Sequence, residues 1–308
     1  MKALVVGYGS IGKRHSRILT AMGVETAVLS RRSVDFPTCY QDLSDAINKF
    51  SPQYIVVASK TNEHLNDIKQ LIQLGWNGTV LVEKPLFHDN IDIPELEKGL
   101  EIYVAYNLRF HPGLLKLKSI LEQEKLISVA AYTGQYLPDW RPHRDYRESY
   151  SSKNEEGGGV LRDLSHELDY LTWLLGKWTR LTSIGGKFSS LDISVDDCWG
   201  VLFETERCPL VSLQINYLDR PGKREINIVT DQNTYRLDVS NHRLTCNGVV
   251  ETFELDNDYS YVRQHEDILN NQKKTVCSFA DGVQILRMID SIEQSNKDGV
   301  WINNARNS

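Results

Sequence analysis

Five cysteines in 308 residues, none of them in a C-x-x-C pair, leave little material for a disulfide framework or a zinc ribbon. Cys39, Cys198, Cys208, Cys246 and Cys277 are odd in number and widely spaced, which fits unpaired thiols in a reducing compartment. No H-E-x-x-H or Cys/His cluster occurs, and His64, His111, His143 and His166 are scattered, so no metal site is expected. No apolar run approaches the roughly 20 residues of a membrane span. The short run after Lys2 stops at Gly7, too soon for the apolar core of a signal peptide. Blocks of one charge sign are absent as well, and a formal net charge of -6 argues against a nucleic-acid partner. Repeats and low-complexity tracts are missing. What remains, with hydrophobic residues at 41% and charged residues at 25%, is the composition of a soluble globular protein, read here as cytoplasmic.

The chain is long enough for two domains, and its hydrophobic pattern changes once. Up to about residue 110, short apolar strands alternate with amphipathic helices, the pattern of a parallel α/β sheet. Strands are expected at Ala3–Val6, Glu25–Ser30, Tyr54–Ala58, Val80–Glu83 and Ile102–Ala105. Helices are expected over Ile11–Met22, Asp42–Phe50 and Glu63–Leu74. A helix at Pro112–Glu124 and a strand at Ile127–Tyr136 follow. After Gly157, Gly158 and Gly159 one apolar helix is expected over Val160–Leu175. From Arg180 to about Leu255 strand follows strand, joined by turn signals such as Pro221-Gly222 and Asn247-Gly248. A last helix spans roughly Phe279–Gln294. The expected fold is an α/β domain over 1–108 and an α+β domain over 109–308. The second carries a large, mostly antiparallel open sheet, with room for the last helix to pack back between the two.

Gly7-Tyr8-Gly9-Ser10-Ile11-Gly12 is a G-x-G-x-x-G that leaves a strand and opens a helix. That context makes it a Rossmann dinucleotide fingerprint. One glycine makes the tight turn, one lets the backbone approach a pyrophosphate, and one lets helix and strand pack closely. The phosphates would meet the uncapped N–H groups of the helix start. At the end of the second strand, where an NAD enzyme usually places an acid for the ribose 2′-hydroxyl, the chain has Ser30-Arg31-Arg32. A hydroxyl and two guanidiniums suit a 2′-phosphate, so NADP(H) is preferred and NAD(H) remains admissible. The alternative is that Arg31 and Arg32 are solvated surface charges. His15, on the helix after the glycines, reads as a packing residue.

The GYGSIGKRH opening, Ser59–His64, Glu83-Lys84-Pro85, Tyr106–Phe110 and the stretch from Gly157 to Asp169 together resemble the Gfo/Idh/MocA oxidoreductase family. The motifs run in family order over roughly the first 175 residues. The resemblance implies that Ser59, Thr61, Asn62, His64, Glu83 and Asn107 help to hold the cofactor. It also places Lys84 beside the nicotinamide and the reacting carbon. An ammonium there can hydrogen-bond a carbonyl or alkoxide and stabilise developing negative charge. Asp163 and His166, spaced i, i+3, would share a helix face, with His166 moving a proton. The family usually spaces this pair by four, which leaves the role of Asp163 open.

Arg109 is either a substrate contact or a structural ion pair. Trp140, Arg141 and Arg144 combine a flat ring with forked donors and suit an anionic or hydroxyl-rich substrate. The competing reading is a surface loop whose arginines pair with Asp139, Asp145 and Glu148. The implied function is hydride transfer between nicotinamide and a ring carbon of a sugar, sugar acid, nucleotide sugar or cyclic polyol, by a homo-oligomer, dimer or tetramer. The alternatives are a non-catalytic NAD(P)-binding regulator of the same fold, or a reductase of a non-sugar carbonyl or imine.

Overall fold

The computed structural model describes residues 1–89 and 99–304. Two units emerge, Met1–Phe110 with Asn257–Leu286, and His111–Asp256 with Arg287–Ser308.

The first unit is built on β1 (Lys2–Val6), β2 (Glu25–Leu29), β3 (Cys39–Tyr40), β4 (Tyr54–Val57), β5 (Gly78–Val82) and β6 (Leu100–Val104), all parallel in the order β3-β2-β1-β4-β5-β6. Strands of a parallel sheet are covered on both faces, and so read as continuous apolar runs. Ala3, Leu4, Val5, Ile55, Val56, Val80 and Leu81 are fully buried accordingly. Between the strands run α1 (Ser10–Ala21), α2 (Leu43–Phe50), whose N-terminus Asp42 caps by accepting from the Asp45 amide, and α3 (His64–Gln73). The strand order reverses between β1 and β4, and in open sheets of this kind ligands bind at the carboxyl ends beside that reversal. Glu83 lies one residue beyond β5 rather than inside it, so its side chain belongs to the turn.

Asn257–Leu286 is the part of this unit that the sequence placed in the second domain. The two-residue strand Cys277–Ser278 pairs antiparallel with β6. The helix Tyr259–Leu269 is anchored to α1 where Asp258 receives Arg14 Nε at 2.9 Å and Arg17 Nη2 at 2.6 Å. A strand of two residues has no readable period, and the anchors lie some 240 residues away in sequence, |i−j| = 244 and 241.

The second unit holds α4 (Pro112–Leu121), β7 (Leu126–Gly134), α5 (Val160–Asp163), α6 (His166–Leu175), β8 (Trp178–Gly186), β9 (Cys198–Thr205), β10 (Val211–Asn216), β11 (Lys223–Thr230), β12 (Thr234–Asp238), β13 (Arg243–Cys246) and β14 (Val249–Thr252). Its nine-stranded sheet runs β14-β13-β12-β11-β7-β10-β9-β8 and ends on the strand Ile302–Asn303. Among the described residues of this sheet only β7 and β10 pair in parallel. Burial alternates along β9, β10 and β11, as expected of a sheet with one covered face. On that face Glu167 of α6 accepts hydrogen bonds from Thr133 Oγ1 (2.8 Å) and Arg224 Nε (2.7 Å). Leu202 and Ile184 stay exposed.

The expected single helix Val160–Leu175 is two. Leu164, with φ -98° and ψ 27°, ends α5, and α6 restarts at His166. Asp163 and His166 therefore do not share one helix face, and the i, i+3 argument does not hold. Leucine periodicity continues through the break and conceals it. All five cysteines are unpaired thiols. Among the described residues no helix is long and apolar enough to cross a membrane.

Candidate active site

The glycine turn sits at the strand reversal. Gly7 has φ +93°, and a Cβ on it would come within 2.6 Å of the Ala58 carbonyl oxygen at the end of β4. A Cβ on Gly12 would overlap the Gly7 carbonyl, whereas one on Gly9 would meet nothing within 4 Å. The first and third glycines are thus spent on packing, and the second faces open space. Gly9 caps α1 without a side-chain hydrogen bond, and no acid lies in the first turn. Those N–H groups and the positive end of the helix suit a pyrophosphate. Ser10 is exposed and Ile11 partly buried at this helix start, while Tyr8 packs edge-on to Phe36 with centroids 5.7 Å apart.

Beyond β2, the Ser30 hydroxyl is engaged within its own turn, donating to the Arg32 carbonyl (2.9 Å) and accepting from the Arg32 amide (3.2 Å). Arg31 is largely exposed, and its Nη1 meets Glu63 Oε1 at 3.0 Å. Arg32 is exposed. Thr61, Asn62 and Glu63 form a 3-10 turn ahead of α3, with Thr61 buried.

Ser59 Oγ donates to Asp67 Oδ2 at 2.6 Å. Burial pushes the Asp67 carboxyl up to about 6 against that hydrogen bond, with Glu63 adding to the rise and Arg31 opposing it. The folded chain therefore holds a proton here that the unfolded chain releases near pH 4. The associated stability is complete below about pH 4 and is lost as pH rises through about 6. Asp67→Asn is expected to match the parent at pH 4 and to exceed it by about 2–3 kcal/mol at pH 8. Denaturant melts at both pH values check this, and parallel pH profiles for the two proteins would refute it.

Glu83, Lys84 and Pro85 turn at the carboxyl end of β5, with a cis Lys84–Pro85 bond. Buried Glu83 is held from two sides, Oε2 accepting from the Lys84 amide (3.1 Å) and Oε1 meeting His15 Nε2 (2.8 Å). His64 is buried, and its Nδ1–H lies between the carbonyls of Pro85 (3.1 Å) and Leu86 (3.2 Å). Burial lowers its affinity for a proton, which keeps it neutral. Lys84 is half-buried. Asn107 is buried in the turn after β6, and buried Arg109 meets Asp281 Oδ2 through Nη1 at 3.4 Å. The first unit thus gathers Gly7–Gly12, Ser30, Ser59, Glu83-Lys84 and Asn107 at one edge of its sheet.

His15 is more than the packing residue expected from the sequence: it is fully buried and hydrogen-bonded through both nitrogens, to Glu83 and to His265 Nε2 (2.8 Å). His265 and its partner Tyr54 were missed as well. The one local signal was a histidine three residues past the third glycine; nothing near it in sequence names its partners.

In the second unit Asp163 is buried and accepts from Tyr217 Oη at 2.6 Å and from Tyr150. Burial and this carboxylate drive both phenols well above their ordinary range, so both remain donors. Asp163 thus anchors two tyrosines, and Trp140 stacks edge-on to Tyr217 at 5.2 Å. His166 opens α6. Trp140, Arg141 and Arg144 border one shallow recess, open to solvent, with Tyr146 and Ser149. Arg144 donates to the Glu148 carbonyl (3.2 Å), and Arg147 grips Asp145 with two nitrogens (2.9 and 2.6 Å). Among the described residues Arg141 has no carboxylate partner; its guanidinium lies 6.0 Å from the Tyr150 ring.

Residues 1–111 match the oxidoreductase family with an NAD-binding Rossmann fold, and residues 114–236 match the GFO/IDH/MocA C-terminal domain. Levoglucosan dehydrogenase of Pseudarthrobacter phenanthrenivorans is 23% identical over 206 residues, 58% of this chain and 52% of that protein. The chain so matches about half the length of this curated relative. Three solved structures share the fold. Levoglucosan dehydrogenase in complex with NADH superposes with a TM-score of 0.85 at 15% identity, covering 98% of each chain. The WlbA dehydrogenase of Bordetella pertussis, in complex with NADH and UDP-GlcNAcA, gives 0.81 at 19%, covering 99% of each. GenD2 from gentamicin A biosynthesis, in complex with NAD, gives 0.82 at 20%, covering 99% of this chain and 97% of that one.

Proposed function

The chain belongs to the Gfo/Idh/MocA oxidoreductase family, and from that premise we propose that it is a nicotinamide-dependent dehydrogenase acting on a CH–OH group of a sugar, sugar acid, nucleotide sugar or cyclic polyol. The observation that carries the proposal is the Glu83-Lys84-Pro85 turn, placed at the same sheet edge as the uncapped, glycine-lined start of α1. Gly7, Gly9 and Gly12 would hold the pyrophosphate, and Ser59, Thr61, Asn62, His64, Glu83 and Asn107 would line its path. When bound, the dinucleotide supplies the hydride donor or acceptor. Lys84 hydrogen-bonds the substrate oxygen and stabilises charge developing there. His166 is assigned the proton-carrying role, with Asp163 acting through the tyrosines it anchors.

Support for a sugar comes from the relatives' names, and the arginine-bordered recess suits an acidic or phosphorylated one. Exposed Leu202 and Ile184 on the outer sheet face, with Val249 at its edge strand, support a homo-oligomer.

NADP(H) is the preferred cofactor on the strength of Arg31 and Arg32, although the relatives are held with NAD or NADH. Glu63 moderates the preference, because a 2′-phosphate must share Arg31 with it. Nicotinamide fluorescence titration is expected to give NADPH an affinity about tenfold above NADH. Glu63→Gln should widen that gap, and Arg31→Ala should close it. Equal or reversed affinities would return the arginines to the surface. The same protein, assayed with both cofactors against sugars, uronic acids, nucleotide sugars and inositols, should oxidise or reduce at least one class. Silence across all of them counts against a dehydrogenase.

A further inference from the structure

We propose that Tyr54, His265 and His15 form a one-way hydrogen-bond chain that positions Glu83, and through it the Lys84 turn. The inference rests on the reading of Lys84 given above. Four buried side chains make the chain: Tyr54 Oη to His265 Nδ1 (2.9 Å), His265 Nε2 to His15 Nδ1 (2.8 Å), and His15 Nε2 to Glu83 Oε1 (2.8 Å). Tyr54, His15 and His265 are at most 1% exposed, and Glu83 is 8% exposed. The other Glu83 oxygen accepts from the Lys84 amide, so the chain ends on the backbone of the proposed catalytic turn.

The proton positions follow from the donor inventory. An ionised carboxylate only accepts, so His15 Nε2 carries the hydrogen. From the other end, the buried Tyr54 hydroxyl must donate to His265 Nδ1, so His265 carries its hydrogen at Nε2 and donates it to the bare Nδ1 of His15. The opposite polarity would need a hydrogen on both His15 nitrogens, or a protonated Glu83, at one end. At the other it would leave the buried Tyr54 hydrogen without an acceptor, because His265 is its one hydrogen-bond partner among the described residues. That buried orphan is the costlier arrangement. Burial holds His265 neutral, and burial with Glu83 holds Tyr54 protonated, as this direction requires. The other polar or titratable groups around the chain are Tyr261, whose ring packs edge-on to His15, Gln264 beside His265 in sequence, and Lys84 and His64 at the Glu83 end.

His265 comes from the helix Tyr259–Leu269, 250 residues beyond His15. The turn that follows β5 is thereby completed by a segment far along the chain. Buried networks with every member satisfied hold a single geometry, and removing one member loosens the rest. Tyr54, His265 and His15 touch neither substrate nor cofactor in this scheme; they act as positioning residues.

Two readouts need no substrate. In histidine-labelled protein, long-range ¹⁵N–¹H NMR should show both His15 and His265 protonated at Nε2 and bare at Nδ1. Hydrogen exchange at the Lys84 amide should quicken about fivefold to tenfold in His265→Phe, less in Tyr54→Phe, and recover in His265→Gln, which keeps one donor and one acceptor. Amides of β1 and β5 should keep their protection, which separates loosening of the turn from general unfolding. The active panel sugar should then show a lower kcat in His265→Phe at nearly constant KM. Nδ1-protonated histidines, or unchanged Lys84 exchange in both Tyr54→Phe and His265→Phe, would overturn the proposal. Lys84→Ala measured alongside separates the two levels. If it keeps full turnover, the catalytic reading beneath the proposal fails and the proposal falls with it. If it loses turnover while the His265 and Tyr54 variants are silent in kcat, only the positioning role fails.

Discussion

Lys84→Ala lowers kcat by about 10²–10³, the cost of removing one preorganised donor from a developing oxyanion, while the dissociation constant for the cofactor alone stays within about threefold. The reasoning starts from position. Lys84 follows β5 at the carboxyl edge of a parallel sheet, its amide is tied to Glu83, and His64 braces the two carbonyls that follow. A side chain on so fixed a turn costs little to reorganise when charge develops, which is where electrostatic stabilisation is greatest. Lys84→Arg keeps the charge but spreads it over a planar fork, and should recover only part of the rate. Pre-steady-state nicotinamide absorbance would separate the hydride step from binding. A loss smaller than about fivefold in that step would remove Lys84 from the chemistry, whatever the rest of the site does.

The second large effect is expected at the glycine turn, where two neighbouring substitutions should behave differently. Gly12→Ala drives a methyl into the Gly7 carbonyl. Backbone cannot step aside as a side chain can, so α1 must shift from β1, at a cost of about 1–3 kcal/mol in stability. Since the same shift moves the N–H groups that would meet the pyrophosphate, dinucleotide affinity should fall by about 10² or more. Gly9→Ala places its methyl in open space. Its melting temperature without cofactor should stay within about 1–2 °C of the parent, while dinucleotide affinity falls comparably, because the methyl stands where the pyrophosphate would approach the protein backbone. Calorimetric melts and fluorescence titration on both variants test the pair. Retained affinity in Gly9→Ala would place the phosphates elsewhere.

Much of this architecture is written locally. The runs ALVV, YIVV and VLV read as strands covered on both faces, and β9, β10 and β11 alternate as strands covered on one. The glycine fingerprint and the Glu83-Lys84-Pro85 turn are contiguous in sequence, and contiguous residues are positioned by the strand that carries them. Trp140, Arg141 and Arg144 fall within one short stretch and border one recess. In each case the determining interaction spans a few residues, so the pattern of side chains already contains it.

What only the tertiary structure decided is pairing at a distance. Arg31 meets Glu63 across 32 residues, a partner that neither local reading of this arginine, phosphate ligand or solvated charge, contains. Leucine spacing runs unbroken through Leu164, yet α5 and α6 separate there, and Asp163 turns to Tyr217, 54 residues away. His15 and His265 find each other across 250 residues because each has two ring nitrogens to satisfy once water is gone. Local sequence carries periodicity and turn chemistry. Which buried donor meets which buried acceptor is settled when the chain closes on itself, since the cost of leaving either unmet exists only after burial.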